Sequence, residues 1–303
     1  MLLTTDKEPK LELPPDTWEH AQLYRNVRDA LAAMPIHFRT ETRIAGINAT
    51  DLHTLNTVLG ATIEEQAIAT LNAMRMVWDP SGTYSLFTFI RQPQTFPDVL
   101  LRSASSGETL MGIELKGWYL LAKEHEPSFR YKVTAAVCNP QDLIVVVPWL
   151  LDQVISGSPV TFTPYIESAK YAAEYRTYYW QHIRQSKAEV DRSINFSSVA
   201  TPYPPSTAKI IDVPAADSGN FGRLARTNLM QSYIEEVDRR PICGISVRNW
   251  RRFFAVFQSG RDEDQLRAKI ERLVQRIESG DLSPDDVTQE LESVVATAPA
   301  TSQ

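Results

Sequence analysis

The stretch FPDVLLRSASSGETLMGIELKGW, residues 96–118, sets Asp98 directly after Pro97 and, sixteen residues on, places Glu114 and Lys116 inside an otherwise apolar run. On an extended strand alternate side chains share a face, so Glu114 and Lys116 point one way while Ile113 and Leu115 point the other. Residues 98–103 and 109–117 read as paired strands joined by the SASSGE turn. Pairing them carries Asp98 to the Glu114 and Lys116 end of the hairpin. Two carboxylates taken from water repel one another unless a cation or a shared proton compensates. A hard divalent ion such as Mg²⁺ accepts one or two carboxylates, waters and a substrate phosphate, and a nearby Lys can stabilise phosphate charge or help to generate hydroxide. These groups suit hydrolysis of a phosphodiester. The competing account is that Asp98 caps a turn and Glu114 pairs with Lys116 on a solvated face, where such a pair contributes only about 0–1 kcal/mol.

The flanking elements must hold those groups in place. In DTWEHAQLYRNVRDALAAM, Asp16 and Glu19 have capping-box spacing, and Trp18, Leu23, Val27, Leu31 and Met34 form a helical stripe. ATDLHTLNTVLG reads as a short helix stopped by Gly60. A second helix, TIEEQAIATLNAMRMVW, follows with Ile63, Ala67, Leu71 and Met74 buried. RYKVTAAV and DLIVVVPWLL read as two further strands, the latter apolar enough to be central. A long helix is expected from about Glu167 to Val190, then a proline-rich connection with a short strand at AKIIDV, then a helix at SVRNWRRFFAVFQ. Leu266, Ile270, Leu273 and Ile277 begin a tail with the look of a helical hairpin.

Composition narrows the function classes. The chain has 303 residues, 43% hydrophobic and 22% charged, enough for one substantial core. No apolar stretch approaches bilayer length and no signal sequence opens the chain, so a cytoplasmic protein with no membrane partner is expected. Two cysteines are too few for a four-ligand zinc site or a disulfide framework, and Cys138 and Cys243 are expected to be small buried residues. The five histidines form no close ligand pair, no Gly-x-Ser-x-Gly elbow is present, and the phosphate-loop and dinucleotide fingerprints are missing. The net charge of −6 sits mainly in the tail, since residues 261–292 hold five basic and ten acidic side chains. Residues 222–252 carry seven Arg against three acids, so a polyanionic partner is compatible with the overall charge.

Pro97-Asp98 followed by GIELKGW resembles the PD-(D/E)xK nuclease motif, with Asp98, Glu114 and Lys116 in the motif positions. The continuation ELKGWYLLAKEHEPSFRYKV together with YAAEYRTYYW is similar to a group of bacterial type II restriction endonucleases. The resemblance implies a restriction-endonuclease-like α/β fold, a mixed β-sheet flanked by helices, with additional C-terminal helices here. It implies Mg²⁺ held by Asp98, Glu114 and the carbonyl of Leu115, with Lys116 positioning or activating water. An acid on an earlier helix often completes such a site; Glu64 is the candidate and Glu65 its understudy.

Sequence-specific cutting needs side chains that reach phosphates and base edges. Lys123, Arg130 and Lys132 follow the site, and Arg176 and Arg184 lie on the aromatic helix; these are the expected contacts to double-stranded DNA. Their alternative roles are solvated surface for the lysines and structural ion pairs for the arginines. Trp118 and Tyr171, Tyr175, Tyr178 and Tyr179 read as packing residues. The expected organisation is a nuclease domain over residues 1–260 with integrated recognition elements and an acidic helical tail over 261–303. A palindromic target would favour a homodimer, and a restriction system would include a cognate DNA methyltransferase. A repair or recombination nuclease of the same fold, or a non-catalytic DNA-binding protein, remain alternatives.

Overall fold

A computed structural model of the chain describes residues 7–45, 54–92, 95–122, 124–185, 190–216 and 219–257, with residues 272, 275, 276, 279 and 280 beyond them. The protein is mixed α/β. Strands β1 (Phe87–Arg91), β2 (Val99–Ser103) and β3 (Thr109–Tyr119) form an antiparallel meander, and β4 (Leu143–Leu151) lies parallel to β3. The far edge of β4 is shared. There β6 (Tyr165–Ser168) runs antiparallel to Leu143–Val146 and β5 (Pro159–Thr161) to Trp149–Leu151. Every residue of β4 is buried, as its unbroken apolar run requires of a strand with neighbours on both edges.

The helices are α1 (Ala21–His37), α2 (Leu55–Ala73), α3 (Arg75–Trp78), α4 (Ala169–Tyr178), α5 (Gln231–Arg239) and α6 (Val247–Phe257). The 3.6-residue stripes do what their spacing predicts. Leu23, Val27, Leu31 and Met34 of α1 and Ile63, Ala67 and Leu71 of α2, with Met74 just past its end, join one buried cluster with Ile113, Leu115 and β4. Among the described residues no helix is long and apolar enough to cross a membrane.

Several local expectations are corrected. The Asp16/Glu19 capping box does not form. Tight turns closed by Trp18 N–H on Pro15 O and Ala21 N–H on Trp18 O lead into α1, and Asp16 pairs with Arg25 instead. Gly60 does not stop a helix, and α2 runs straight through it. A glycine interior to a helix costs only about 1 kcal/mol, which the packing of the stripe on either side outweighs. RYKVTAAV forms no strand of its own. Val133 makes a single bridge to Ile211, and Ala135–Val137 turn as a 3-10 helix, because the buried guanidinium of Arg176 takes the carbonyls of Tyr131 and Val133. The helix expected over 167–190 starts at Ala169, capped by Ser168, and passes into a π-turn over Tyr179–Ile183. Residues 165–168 are strand, paired with the start of β4. Cys138 is buried as expected but Cys243 is exposed, in a tight turn where its φ is +51°. The expected tail hairpin lies outside the described residues, apart from residues 272, 275, 276, 279 and 280.

Candidate active site

The site is built on a mismatch of strand lengths. β2 pairs with β3 only over Thr109–Ile113, whereas β3 continues along β4 to Tyr119. On the edge that β2 leaves uncovered, the N–H groups of alternate residues need other acceptors. Three side-chain oxygens supply them in order. Asp98 Oδ2 accepts from Leu115 N at 3.0 Å, Glu64 Oε1 from Gly117 N at 3.4 Å, and Asn56 Oδ1 from Tyr119 N at 3.2 Å. Asp98 comes from the entry to β2, while Asn56 and Glu64 come from one side of α2, about two turns apart. The strand thereby spaces these polar groups by its own two-residue repeat of about 7 Å.

Lys116 Nζ lies 2.8 Å from Asp98 Oδ2 and 2.9 Å from Glu114 Oε1. The side chain of Glu114 is 9% exposed, those of Lys116 and Asp98 21% and 25%, so the trio sits at the margin between core and solvent. Glu114 Oε2 is buried and has no hydrogen-bond partner among the described residues. Burial pushes the Glu114 carboxyl up to about 7, with Asp98 adding to the rise and Lys116 opposing it. Burial works against the charge of Lys116, but Glu114 and Asp98 together hold its ammonium well above the usual lysine range. Burial also raises Glu64, against the pull of Lys116. The cation that the two carboxylates require is therefore present within the protein, as Lys116.

One glycine lets two of the parts approach closely. A Cβ on Gly112 would overlap the ring of Pro97 and stand 3.1 Å from Asp142 Oδ1, so the Pro-Asp turn packs directly on β3 only because residue 112 has no side chain. Asp142, fully buried, accepts from the amides of Gly112 and Asn139 and from the Tyr203 hydroxyl. At Gly117 a Cβ would make ordinary contacts, 3.5 Å to the Trp149 indole nitrogen and 3.8 Å to the Gly60 carbonyl oxygen, where α2 passes over β3 and brings Glu64 onto the strand. Glu65, the understudy, is exposed instead. A cleft of about 220 Å³ opens beside these residues, lined by Asn56, Gly60, Glu64, Lys116, Trp118 and Glu126 among others. Asn56 was not singled out from sequence; a lone Asn four residues before Gly60 carries no signal until the unpaired edge of β3 is seen.

The expected DNA contacts fare differently. Lys123 lies outside the described residues. Arg130 is exposed and Lys132 half-buried, its ammonium pulled down by burial and by Arg130 and Arg176. Arg184 lies over the ring of Trp180 at 4.1 Å. Arg176 is a correction: it does not project from the helix surface but is 1% exposed, ion-paired with the equally buried Asp212 at 2.6 Å. Of its nitrogens only Nε has no acceptor among the described residues. Trp118 packs in the core, and Tyr171 lies beside Tyr175, the rings tilted by 46°, on the partly exposed flank of α4.

Among the described residues no three His, Cys, Asp or Glu side chains form a group that could hold a metal ion. Two carboxylates and a backbone carbonyl are nonetheless a sufficient donor set for Mg²⁺, which keeps several waters. The donors are all hard oxygens. Leu115 presents its carbonyl on the same strand edge as its N–H, which Asp98 already takes, and Glu114 Oε2 is a buried acceptor still lacking a partner. By donor chemistry the site fits such an ion, with Lys116 as its neutralising substitute. No protein-family model, curated protein or solved structure matches the chain.

Proposed function

We propose that this chain is a Mg²⁺-dependent endonuclease of the PD-(D/E)xK type, with a restriction-endonuclease-like version of the mixed sheet, that hydrolyses phosphodiester bonds of double-stranded DNA at a short specific sequence. One observation carries the reading: the ammonium of Lys116 lies within 2.9 Å of carboxylates from two different strand segments, at the margin of a cleft. A solvated salt bridge, the bland account of the motif, would not leave Glu114 at 7% exposure with one oxygen unpartnered.

Asp98, Glu114 and the Leu115 carbonyl would hold the ion, which when bound supplies Lewis-acid polarisation of the phosphate and an acidified water. Lys116, kept protonated by its neighbours, donates to a phosphate oxygen or orients the attacking water rather than removing its proton. Glu64, anchored on Gly117 N–H at the cleft wall, is the carboxylate placed to accept a proton from that water. Trp118 and α2 close the cleft from the core side. A homodimer would present one such site to each strand of a palindromic target, and in the cytoplasm a partner methyltransferase would protect the host's own DNA.

The test is digestion of unmethylated phage DNA in Mg²⁺, followed by sequencing of the ends. Discrete fragments with a common terminal sequence are the expected result. Structure-dependent nicking would favour a repair nuclease, and intact DNA would leave a DNA-binding protein without chemistry.

A further inference from the structure

A second cavity lies at the far end of α4. The helix does not simply stop: its last turn widens into the π-turn Tyr179–Ile183, a geometry that occurs mostly as single turns and frequently at functional sites. That turn buries Trp180 edge-on against Phe221, with ring centres 5.2 Å apart, and lays Arg184 over the indole. Facing it, the 3-10 turn over Leu224–Thr227 and the residue before it bring in Arg223 and Arg226. The cavity between them, about 160 Å³, is lined by Arg176, Trp180, Arg184, Arg223 and Arg226 among others and, among the described residues, by no carboxylate. It far exceeds the ~10–15 Å³ that a single water needs.

Three of its lining residues carry a buried N–H without an acceptor among the described residues: Arg176 Nε, Trp180 Nε1 and Arg223 Nε. Arg184, Arg223 and Arg226 bring guanidinium groups, which only donate, to its wall, so the cavity suits a ligand that only accepts. Phosphate oxygens do so, and the planar fork of Arg matches them. The position of the cavity suggests where such a group comes from. Arg223 and Arg226 pair outward with Glu124 at 2.9 Å and Glu126 at 2.6 Å, and Glu126 also lines the catalytic cleft. One short segment thus separates the two openings.

We infer that this cavity binds a phosphate group, supplied by the nucleic-acid strand that occupies the neighbouring catalytic cleft; only the source of the phosphate rests on the nuclease reading. Glu124 and Glu126 hold the arginines in the absence of the strand.

The test is calorimetric titration with inorganic phosphate and with a short DNA duplex, on wild type, Arg184→Gln and Arg223→Gln, with near-ultraviolet circular dichroism to establish that each variant folds. Wild type binds inorganic phosphate, and each arginine variant binds it about tenfold more weakly, the loss of one charge-assisted hydrogen bond. If either variant fails to fold, Arg226→Gln replaces it, since that side chain is 44% exposed and lines the same cavity, and it too weakens phosphate binding. Equal phosphate binding by wild type and the variants, or none by wild type, overturns the site. Duplex binding falls in the same variants; unchanged duplex affinity overturns the strand as the source. A wild type that binds phosphate but cuts no DNA in Mg²⁺ overturns the nuclease reading and leaves the site standing.

Discussion

The carboxylate of Asp98 and the ammonium of Lys116 lie 2.8 Å apart, and the same Asp98 oxygen also takes the amide of Leu115 at 3.0 Å. Side chain and backbone of one strand segment are thus tied to a single oxygen atom. Replacing Lys116 by Met leaves Asp98 and Glu114 facing each other without their cation. Breaking a buried pair typically costs about 3–5 kcal/mol, so for this partly exposed one a loss of about 2 kcal/mol is expected by urea unfolding in EDTA at pH 8. Mg²⁺ restores most of it, because the added ion replaces the missing charge.

Glu114 gives the metal-free protein a pH dependence with a defined sign. Its folded-state value, about 7, lies above the unfolded value of 4.5, so between these limits the folded state holds a proton that the unfolded chain has released. Stability from this group is present at acid pH and is lost as pH rises from about 4.5 through about 7, by up to about 3 kcal/mol. Asp142, raised to about 6 by burial, adds in the same direction. Glu114→Gln removes part of the slope and is at least as stable as wild type at pH 8, while losing cleavage. A steeper slope in that variant would contradict the assignment.

Two glycine substitutions should differ in sign. Gly112→Ala forces Pro97 off β3 and is expected to cost about 1–3 kcal/mol, with a loss of activity because Asp98 follows Pro97. Gly60→Ala meets nothing within 4 Å and lies inside α2, so it is expected to stabilise by about 0.5–1 kcal/mol. Thermal unfolding of both variants checks the pair.

Arg176→Ala is expected to destabilise by about 3–5 kcal/mol, since it leaves Asp212 buried at 1% exposure without its partner and frees the carbonyls of Tyr131 and Val133. An arginine serving only as a surface contact would leave stability unchanged.

How far these features were readable depends on the range of the forces behind them. The hairpin from 98 to 117 is local: alternation and a Ser/Gly-rich turn specify it, so the placing of Asp98 beside Lys116 follows from pattern alone. The candidacy of Glu64 and Glu65 comes from the resemblance instead, and the structure brings Glu64 to the strand while leaving Glu65 exposed. Non-local effects are silent in the sequence. Nothing around Arg176 announces that Asp212, thirty-six residues away, will draw its guanidinium inward and take RYKVTAAV out of the sheet with it. Likewise Asn56 gains meaning only from the unequal lengths of β2 and β3. Glycine is a weak helix stop because packing decides, and at Gly60 the apolar stripe of α2 prevails.

The most direct test of the proposed hydrolytic centre is single-turnover cleavage of unmethylated double-stranded DNA by wild type, Asp98→Asn and Lys116→Ala, in Mg²⁺ and in EDTA, with each variant first established as folded. Wild type should cut only in Mg²⁺, and each variant should be slower by at least about 10²–10³-fold, the scale of losing one transition-state charge contact. Cleavage by either folded variant at the wild-type rate would contradict the account.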